Sequence, residues 1–178
     1  MRLCGIDEAG RGTLAGALAV AGVVLRKPVE SLADSKKLTP QKRAELYELI
    51  IANSDYHIEL IEAATIDDIG LSAAIAYALR EIKTHIAADR YLFDGNCTYG
   101  VGGIETQVKA DASVAEVSAA SILAKVSKDR DLLKLAEAYP QYGFEKHQGY
   151  GTKAHLAAIA EFGLSPIHRK SFKIRSLA

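Results

Sequence analysis

The stretch Gly5-Ile-Asp-Glu-Ala-Gly-Arg-Gly12, followed by the apolar run Leu14–Leu25, decides the fold that this sequence predicts. Aliphatic and β-branched residues predict strands at Arg2–Ile6 and Leu18–Leu25. The apolar run has 12 residues, whereas a membrane helix needs about 20. It is therefore interpreted as a buried strand, and the acidic pair Asp7-Glu8 lies between the two strands.

Turn residues and apolar periodicity place the remaining elements. Three more strands are predicted at Tyr56–Ala63, Tyr91–Phe93 and Ile104–Val108. Four helices are predicted. The first begins at Pro40 with Thr39 as N-cap, and the second begins at a capping box, Thr65–Asp68. The third covers Ser113–Ala138, with a break near Ser127 as an alternative, and the fourth covers Thr152–Phe162 with Gly163 as C-cap. This order indicates a single domain, residues 1–178, with an α/β or α+β layer architecture around a mixed sheet.

The charge distribution is uneven although the net charge is zero. Residues 1–124 contain 12 Lys/Arg and 17 Asp/Glu, a net of −5, and residues 125–178 contain 10 and 5, a net of +5. An acidic centre facing a basic rim suits a metal site that handles a polyanion. The alternative is chance clustering of charges on solvated faces.

The N-terminus and the cysteine content favour a cytoplasmic protein. Asp7 and Glu8 interrupt the apolar stretch that a secretion signal would need. Cys4 and Cys97 are too few for a disulfide framework and lack the CxxC spacing of a zinc site. His57 and His85 are predicted to be surface or structural residues.

Three acidic positions at strand ends or edges are the candidates for chemistry: Asp7-Glu8, Asp94 and Asp111. Each has glycine or alanine beside it, which lets a phosphate approach closely. Convergent carboxylates are what Mg²⁺ and two-metal phosphoryl transfer require. Adjacent strand residues point to opposite faces, so Asp7 and Glu8 share a site only if the strand ends or twists there. Ordinary solvated acids are the alternative interpretation.

The ordered motifs of this chain resemble those of the ribonuclease HII family, the bacterial type 2 ribonucleases H. The resemblance covers residues 3–172 and rests on the following blocks: Gly5-Ile-Asp-Glu-Ala-Gly-Arg-Gly12, Asp34-Ser-Lys-Lys-Leu38, Asp94-Gly95, Lys109-Ala-Asp111, Ala119-Ala-Ser-Ile-Leu-Ala-Lys125, Gly149-Tyr-Gly-Thr152 and His168-Arg-Lys-Ser-Phe172. It implies an α/β, ribonuclease H-like fold with a five-stranded mixed sheet flanked by helices and a C-terminal helical part. It also implies endonucleolytic cleavage of RNA in RNA–DNA hybrids and on the 5′ side of ribonucleotides embedded in duplex DNA, leaving 3′-hydroxyl and 5′-phosphate ends.

The resemblance also implies roles for individual residues. Asp7, Glu8 and Asp94 would hold Mn²⁺ or Mg²⁺, with Asp111 as the fourth carboxylate; one ion would activate water and the other would stabilise the leaving 3′-oxygen. The 2′-hydroxyl, which distinguishes RNA from DNA, would be read by the loop Gly10-Arg11-Gly12 and by Tyr150. Backbone phosphates would be contacted by Ser35, Lys36, Lys125, His168 and Arg169.

Some alternatives stay open at the level of the sequence. Asp129 is a second candidate for the fourth acid, although a role in supporting Arg130 or a lysine is favoured. We expect a monomer without a membrane segment, and the tail lacks a clamp-binding peptide, so binding to the replication clamp is not expected. A nuclease or resolvase with another substrate, and a catalytically silent nucleic-acid binding module, are the competing functions.

Overall fold

A computed structural model describes residues 1–32 and 38–174 of the chain. The described residues form a five-stranded mixed sheet with the strand order β3-β2-β1-β4-β5. The strands are β1 Leu3–Ala9, β2 Leu18–Leu25, β3 Ser54–Ile61, β4 Arg90–Asp94 and β5 Glu105–Gln107. The helices are α1 Pro40–Asn53, α2 Ala63–Ile69, α3 Leu71–His85, α4 Ala115–Ala136, α5 Phe144–His147 and α6 Lys153–Phe162.

Helices cover both faces of the sheet, because residues of the central strands alternate between the two sides. Ala19, Ala21 and Val23 of β2 pack against α1 and α4 on one face. On the other face, Leu18 and Val20 belong to the core formed with α2 and α3. The predicted α/β architecture, a mixed five-stranded sheet flanked by helices, is confirmed.

The predicted ends of two helices are confirmed by their capping contacts. Thr39 accepts a hydrogen bond from Lys42 N at 3.2 Å before Pro40 opens α1. Thr152 caps α6 through His155 N at 3.2 Å, and Gly163 ends that helix with a positive φ of 76°. These are local signals, since the cap and its partner lie three residues apart.

The capping box predicted at Thr65–Asp68 is wrong. Thr65 lies inside α2, whose N-cap Glu62 makes no side-chain capping bond. Gly70 then separates α2 from α3, because its backbone dihedrals (φ +84°, ψ 158°) are not helical. Two helices therefore stand where one was predicted. By contrast, α4 continues through Ser127 without the alternative break.

The first strand is longer than predicted and contains the acidic pair. Asp7 pairs with Ala21 and Glu8 with Val20 across β2, so strand pairing continues through both acids. Two acidic side chains can be accommodated in this strand because both lie near its C-terminal end and are partly exposed to solvent. The two side chains therefore start on opposite faces of the sheet.

Candidate active site

The register of two parallel strands brings Asp7 and Asp94 together. Ile6 of β1 pairs with Phe93 of β4, so the next residue of each strand is an aspartate. Residues level with each other on neighbouring strands share a face, which places both carboxylates on the same side. This is the α4 side, because a Cβ on Gly5 would lie 2.3 Å from backbone atoms of α4.

Asp111 joins them from a tight 3-10 turn, Ala110–Ala112, that leads towards α4. Asp94 itself holds this turn: its Oδ1 accepts from Lys109 N at 3.0 Å and its Oδ2 from Asp111 N at 3.1 Å. Lys109 has a left-handed conformation, φ 59°. One carboxylate oxygen from each of Asp7, Asp94 and Asp111 lies within 4.8 Å of the others.

The electrostatics of this cluster favour a bound cation. Burial, followed by the charges of Glu8, Asp94 and Asp111, raises the pKa of Asp7 to about 9. Burial also raises the pKa of Asp94, with the neighbouring Asp111 contributing. Like charges held this close destabilise one another unless a proton or a cation lies between them. The oxygen donor set is the type that hard divalent ions such as Mg²⁺ prefer.

Glu8 lies beside the three-carboxylate group and outside it. Its Oε1 is 4.0 Å from Arg11 Nη1. Its Oε2 is buried and has no hydrogen-bond partner among the described residues. Burial raises the pKa of Glu8, and the charge of Arg11 opposes that rise. Glu8 thus provides an unused acceptor next to the cluster, which fits a second ligand position.

A groove of about 450 Å³ adjoins the carboxylates. Its walls include Glu8, Asp111, the loop Gly10–Gly12, Arg43, Lys125 and Tyr150. A Cβ placed on Gly12 would meet no atom within 4 Å, so the backbone there is open to close approach. The Tyr150 side chain is 42% exposed. The groove therefore combines two acids, several cations and an accessible aromatic ring.

Lys125 and Asp129 form an ion pair on this wall, with Nζ 3.0 Å from Oδ2. Asp129 also lies 3.1 Å from the Nζ of Lys128. Asp129 therefore neutralises two lysines and is not a member of the carboxylate group found in the described residues. This agrees with the interpretation that favoured a supporting role. Lys125 remains partly exposed and faces the Tyr150 ring at 5.6 Å.

The structure does not support the phosphate contacts predicted for His168 and Arg169. Each is only 1% exposed, because the tail folds back under the loop that follows β1. Arg169 donates through Nε to Gly16 O and through Nη1 to Arg11 O, both at 3.1 Å. It therefore braces the loop Gly10–Gly12 from below. Ser35 and Lys36, also predicted to contact phosphates, lie outside the described residues.

His168 belongs to a buried chain of imidazoles. Its Nδ1 accepts from Ser165 N at 2.9 Å, so its own proton is on Nε2, which lies 2.9 Å from His155 Nε2. His155 then donates through Nδ1 to Tyr150 O at 2.9 Å. Both rings are therefore neutral in this arrangement, and burial accordingly lowers the pKa of His168 to about 4.

Sequence reasoning missed two cations near the groove. Arg43 lines the groove from the first turn of α1. Its position four residues after the predicted N-cap Thr39 would have placed it at the start of this helix. Lys128 is buried on α4. Nothing in its local sequence distinguishes it from a solvated lysine. His57 and His85, predicted to be surface or structural residues, stack on each other with ring centroids 4.0 Å apart.

The fold and the carboxylate site define a ribonuclease H-like class of protein. Two solved structures have the same fold. The structure of the PCNA:RNase HII complex from Archaeoglobus fulgidus matches with a TM-score of 0.84 and 25% identity, covering 98% of this chain and 96% of that chain. Ribonuclease H2 from Pyrococcus horikoshii OT3 matches with a TM-score of 0.78 and 27% identity over 97% and 94% of the two chains.

The chain belongs to the ribonuclease HII family. The sequence profile of that family, Ribonuclease HII, matches residues 4–175. A ribonuclease HII from Sulfurovum sp. (strain NBC37-1) is 55% identical over 175 residues, which cover 98% of this chain and 93% of the relative. The resemblance drawn from the motifs is thereby confirmed, and the protein is an endoribonuclease of the ribonuclease H type.

Proposed function

We propose that this enzyme hydrolyses the RNA strand of RNA–DNA hybrids and cuts on the 5′ side of ribonucleotides embedded in duplex DNA. The observation that carries the proposal is the convergence of Asp7, Asp94 and Asp111, the last of which lines a groove that also presents Tyr150. Products would carry 3′-hydroxyl and 5′-phosphate ends. No side-chain nucleophile is needed when charge stabilisation and positioning act on the phosphate.

The three carboxylates, with Glu8 beside them, would hold the divalent ions. Mg²⁺ or Mn²⁺ bound as a pair would supply the charge that activates water and stabilises the leaving 3′-oxygen. Two observations support this fit: the three oxygens lie within 4.8 Å of one another, and Glu8 Oε2 is buried without a hydrogen-bond partner in the described part of the chain. The protein's own task is to orient the scissile phosphate against these acids.

The rest of the groove would bind and select the substrate. Arg11, Arg43 and Lys125 line it and would neutralise backbone phosphates, giving affinity that does not depend on sequence. The open backbone at Gly12 and the exposed ring of Tyr150 would contact the sugar, where the 2′-hydroxyl distinguishes RNA from DNA. An aromatic ring can stack while its hydroxyl forms a hydrogen bond.

Cleavage of matched duplexes tests this proposal. A DNA duplex with one ribonucleotide, an all-DNA duplex of the same sequence and a continuous hybrid are incubated with Mg²⁺ or Mn²⁺, and with EDTA as the metal-free reaction. We expect metal-dependent cutting at the ribonucleotide and on the hybrid. Equal cutting of the all-DNA duplex would reject ribonucleotide selection, and binding without metal-dependent cutting would favour the silent binding module.

Asp94→Asn tests the carboxylate group directly. It removes one charge from the cluster and is expected to abolish cleavage in Mg²⁺ while duplex binding persists. Asp68→Asn, at an exposed position of α2, is the matched control and should cleave like the wild type. Full activity of Asp94→Asn would remove Asp94 from the mechanism.

Several further expectations stay predictions for this chain: a monomeric state, a cytoplasmic location, a single domain and no interaction with a replication clamp. The complex with PCNA is a property of the Archaeoglobus fulgidus protein. No helix in the part of the chain that the structure describes is long and apolar enough to cross a membrane.

A further inference from the structure

Lys128 is a buried lysine in the middle of α4, close to the groove. It is 1% exposed, and it is among the largest fully buried side chains of the described residues. Lysine is almost never fully buried unless its charge is paired, because an ammonium ion loses much of its hydration energy in the interior. The burial of Lys128 is therefore unfavourable unless the contacts of its ammonium group compensate for the lost hydration.

The ammonium group of Lys128 makes its contacts with the loop that carries Tyr150. Nζ donates to Gln148 O at 3.1 Å and lies 3.1 Å from Asp129 Oδ1. The centre of the Tyr150 ring is 4.7 Å from the same nitrogen, within the range of a cation–π interaction. Lys128 therefore fixes both the backbone at Gln148 and the ring two residues later.

The aliphatic stem of Lys128 packs against the other selecting element, the loop Gly10–Gly12. A Cβ on Gly10 would lie 2.7 Å from Lys128 Cδ and 3.0 Å from Ala17 O, so the stem passes directly against the glycine backbone. Two residues beyond that loop, Leu14 N donates to Gly149 O at 2.8 Å, which ties the same stretch of chain to the loop that carries Tyr150. One side chain thus contacts both walls of the groove.

We propose that Lys128 is a positioning residue that fixes the Tyr150 ring relative to the loop Gly10–Gly12 and thereby sets the enzyme's preference for a ribonucleotide. The inference rests on the proposed function, because it assumes that these two elements read the 2′-hydroxyl. The ammonium group of Lys128 contacts Gln148, Asp129 and the Tyr150 ring, and Lys128 acts through Tyr150. The stem keeps the two loops apart at a fixed spacing, and the ammonium group orients the ring.

Lys128→Met tests the role of the ammonium group, because methionine keeps an unbranched apolar stem of similar length. Lys134→Met, at an exposed position of the same helix, is the matched control. We expect Lys128→Met to lower kcat on the one-ribonucleotide duplex by about 10- to 100-fold, the size of effect that a misplaced reacting geometry produces. KM should change less than about twofold, since the phosphate-binding cations stay in place, and Lys134→Met should leave both constants unchanged.

Repeating the Lys128→Met substitution in a Tyr150→Ala variant distinguishes a positioning role of Lys128 from a merely structural one. In Tyr150→Ala, the ring that Lys128 orients is gone, so adding Lys128→Met should lower kcat by less than about twofold more. An equal loss in both backgrounds would show that Lys128 does not act through Tyr150 and would overturn the inference. If Lys128→Met does not fold at the assay temperature, Lys128→Gln takes its place: its amide keeps a polar group in the buried site but carries no charge to orient the Tyr150 ring, so kcat should still fall, and the fall should again disappear in the Tyr150→Ala background.

The wild-type result distinguishes the two possible failures. If the wild type cuts one-ribonucleotide and all-DNA duplexes equally, the proposed function itself fails. If the wild type is selective and folded Lys128→Met has the same kcat as Lys134→Met, only the role assigned to Lys128 fails.

Discussion

Replacing Gly5 by alanine should separate the central strand from the longest helix. Gly5 lies in β1 and faces α4, and a Cβ at this position would lie 2.3 Å from both Glu116 C and Val117 N. These are backbone atoms, which cannot move aside by a change of rotamer as a side chain would. Ordinary contacts between such atoms are at about 3.5–4.0 Å, so the strand and the helix must separate by roughly 1 Å.

The expected cost follows from that displacement. Overpacking of a well-packed core costs about 1–3 kcal/mol, and the rigid backbone contact at Gly5 favours the upper end. The lower entropy of the unfolded alanine variant returns about 0.4–1 kcal/mol. We therefore expect a net loss of about 2 kcal/mol, which corresponds to a fall in Tm of roughly 4–8 °C for a protein of this size.

Activity should fall further than stability suggests, since α4 and the turn that carries Asp111 are joined by the hydrogen bond from Val114 N to Ala110 O at 2.8 Å. A shift of about 1 Å can cost on the order of 100-fold in rate. Thermal unfolding and cleavage are measured on Gly5→Ala and on Gly102→Ala, whose added methyl would meet no atom within 4 Å. Equal Tm and rates for the two variants would refute this account of the strand–helix contact.

Three other predictions concern the tail and the loop that carries Tyr150. Because burial lowers the pKa of His168 from 6.5 in the unfolded chain to about 4 in the folded protein, its contribution to stability is complete above pH 6.5 and is lost as the pH falls towards 4; between pH 7 and pH 5 the wild type should therefore lose on the order of 2 kcal/mol in urea unfolding relative to His168→Asn, a comparison that cancels the opposite pH dependence of the buried carboxylates, and an unchanged difference would contradict the neutral imidazole. Asp67 accepts backbone hydrogen bonds from residues 170–171, both at 2.9 Å, so Asp67→Ala should cost about 1–3 kcal/mol in unfolding free energy, whereas Asp68→Ala should cost almost nothing; equal values would exclude this anchor. Tyr150→Ala should weaken the preference for a ribonucleotide more than it weakens duplex binding, as cleavage and binding titrations with matched duplexes would show, and an unchanged preference would remove Tyr150 from selection.

The sequence was most informative where a signal is local. Thr39 was recognisable as the cap of α1, because it bonds a residue three positions along the chain; Thr152 was recognisable as the start of a helix, which it caps in the same way. The candidate acids were recognisable because small residues surround them at strand ends. Their mutual placement was not, since it depends on the register of Ile6 with Phe93 across a parallel pair. That register is a property of the folded sheet.

The errors have a common physical origin. The resemblance assigned Arg169 to phosphate contacts at the surface, yet it is buried and donates to backbone carbonyls of residues 153 and 158 positions away in the chain. Lys128 escaped notice for the same reason, since its partner Gln148 is 20 residues away. Charged side chains are assigned to solvent by default, and the exceptions are visible only when long-range contacts are known.

The three carboxylates are carried by different elements, two by strands of the sheet and one by a turn, and this difference matters for protein engineering. Asp7 and Asp94 stand level on adjacent strands, so their separation follows the strand spacing of about 4.8 Å and cannot be tuned by replacing neighbouring side chains. Asp111 is carried by a short turn that begins after the left-handed Lys109. A designer who wishes to shift the proposed site's preference between a smaller and a larger divalent ion should therefore vary residues 109, 110 and 112, where the third carboxylate can move while the sheet keeps the other two fixed.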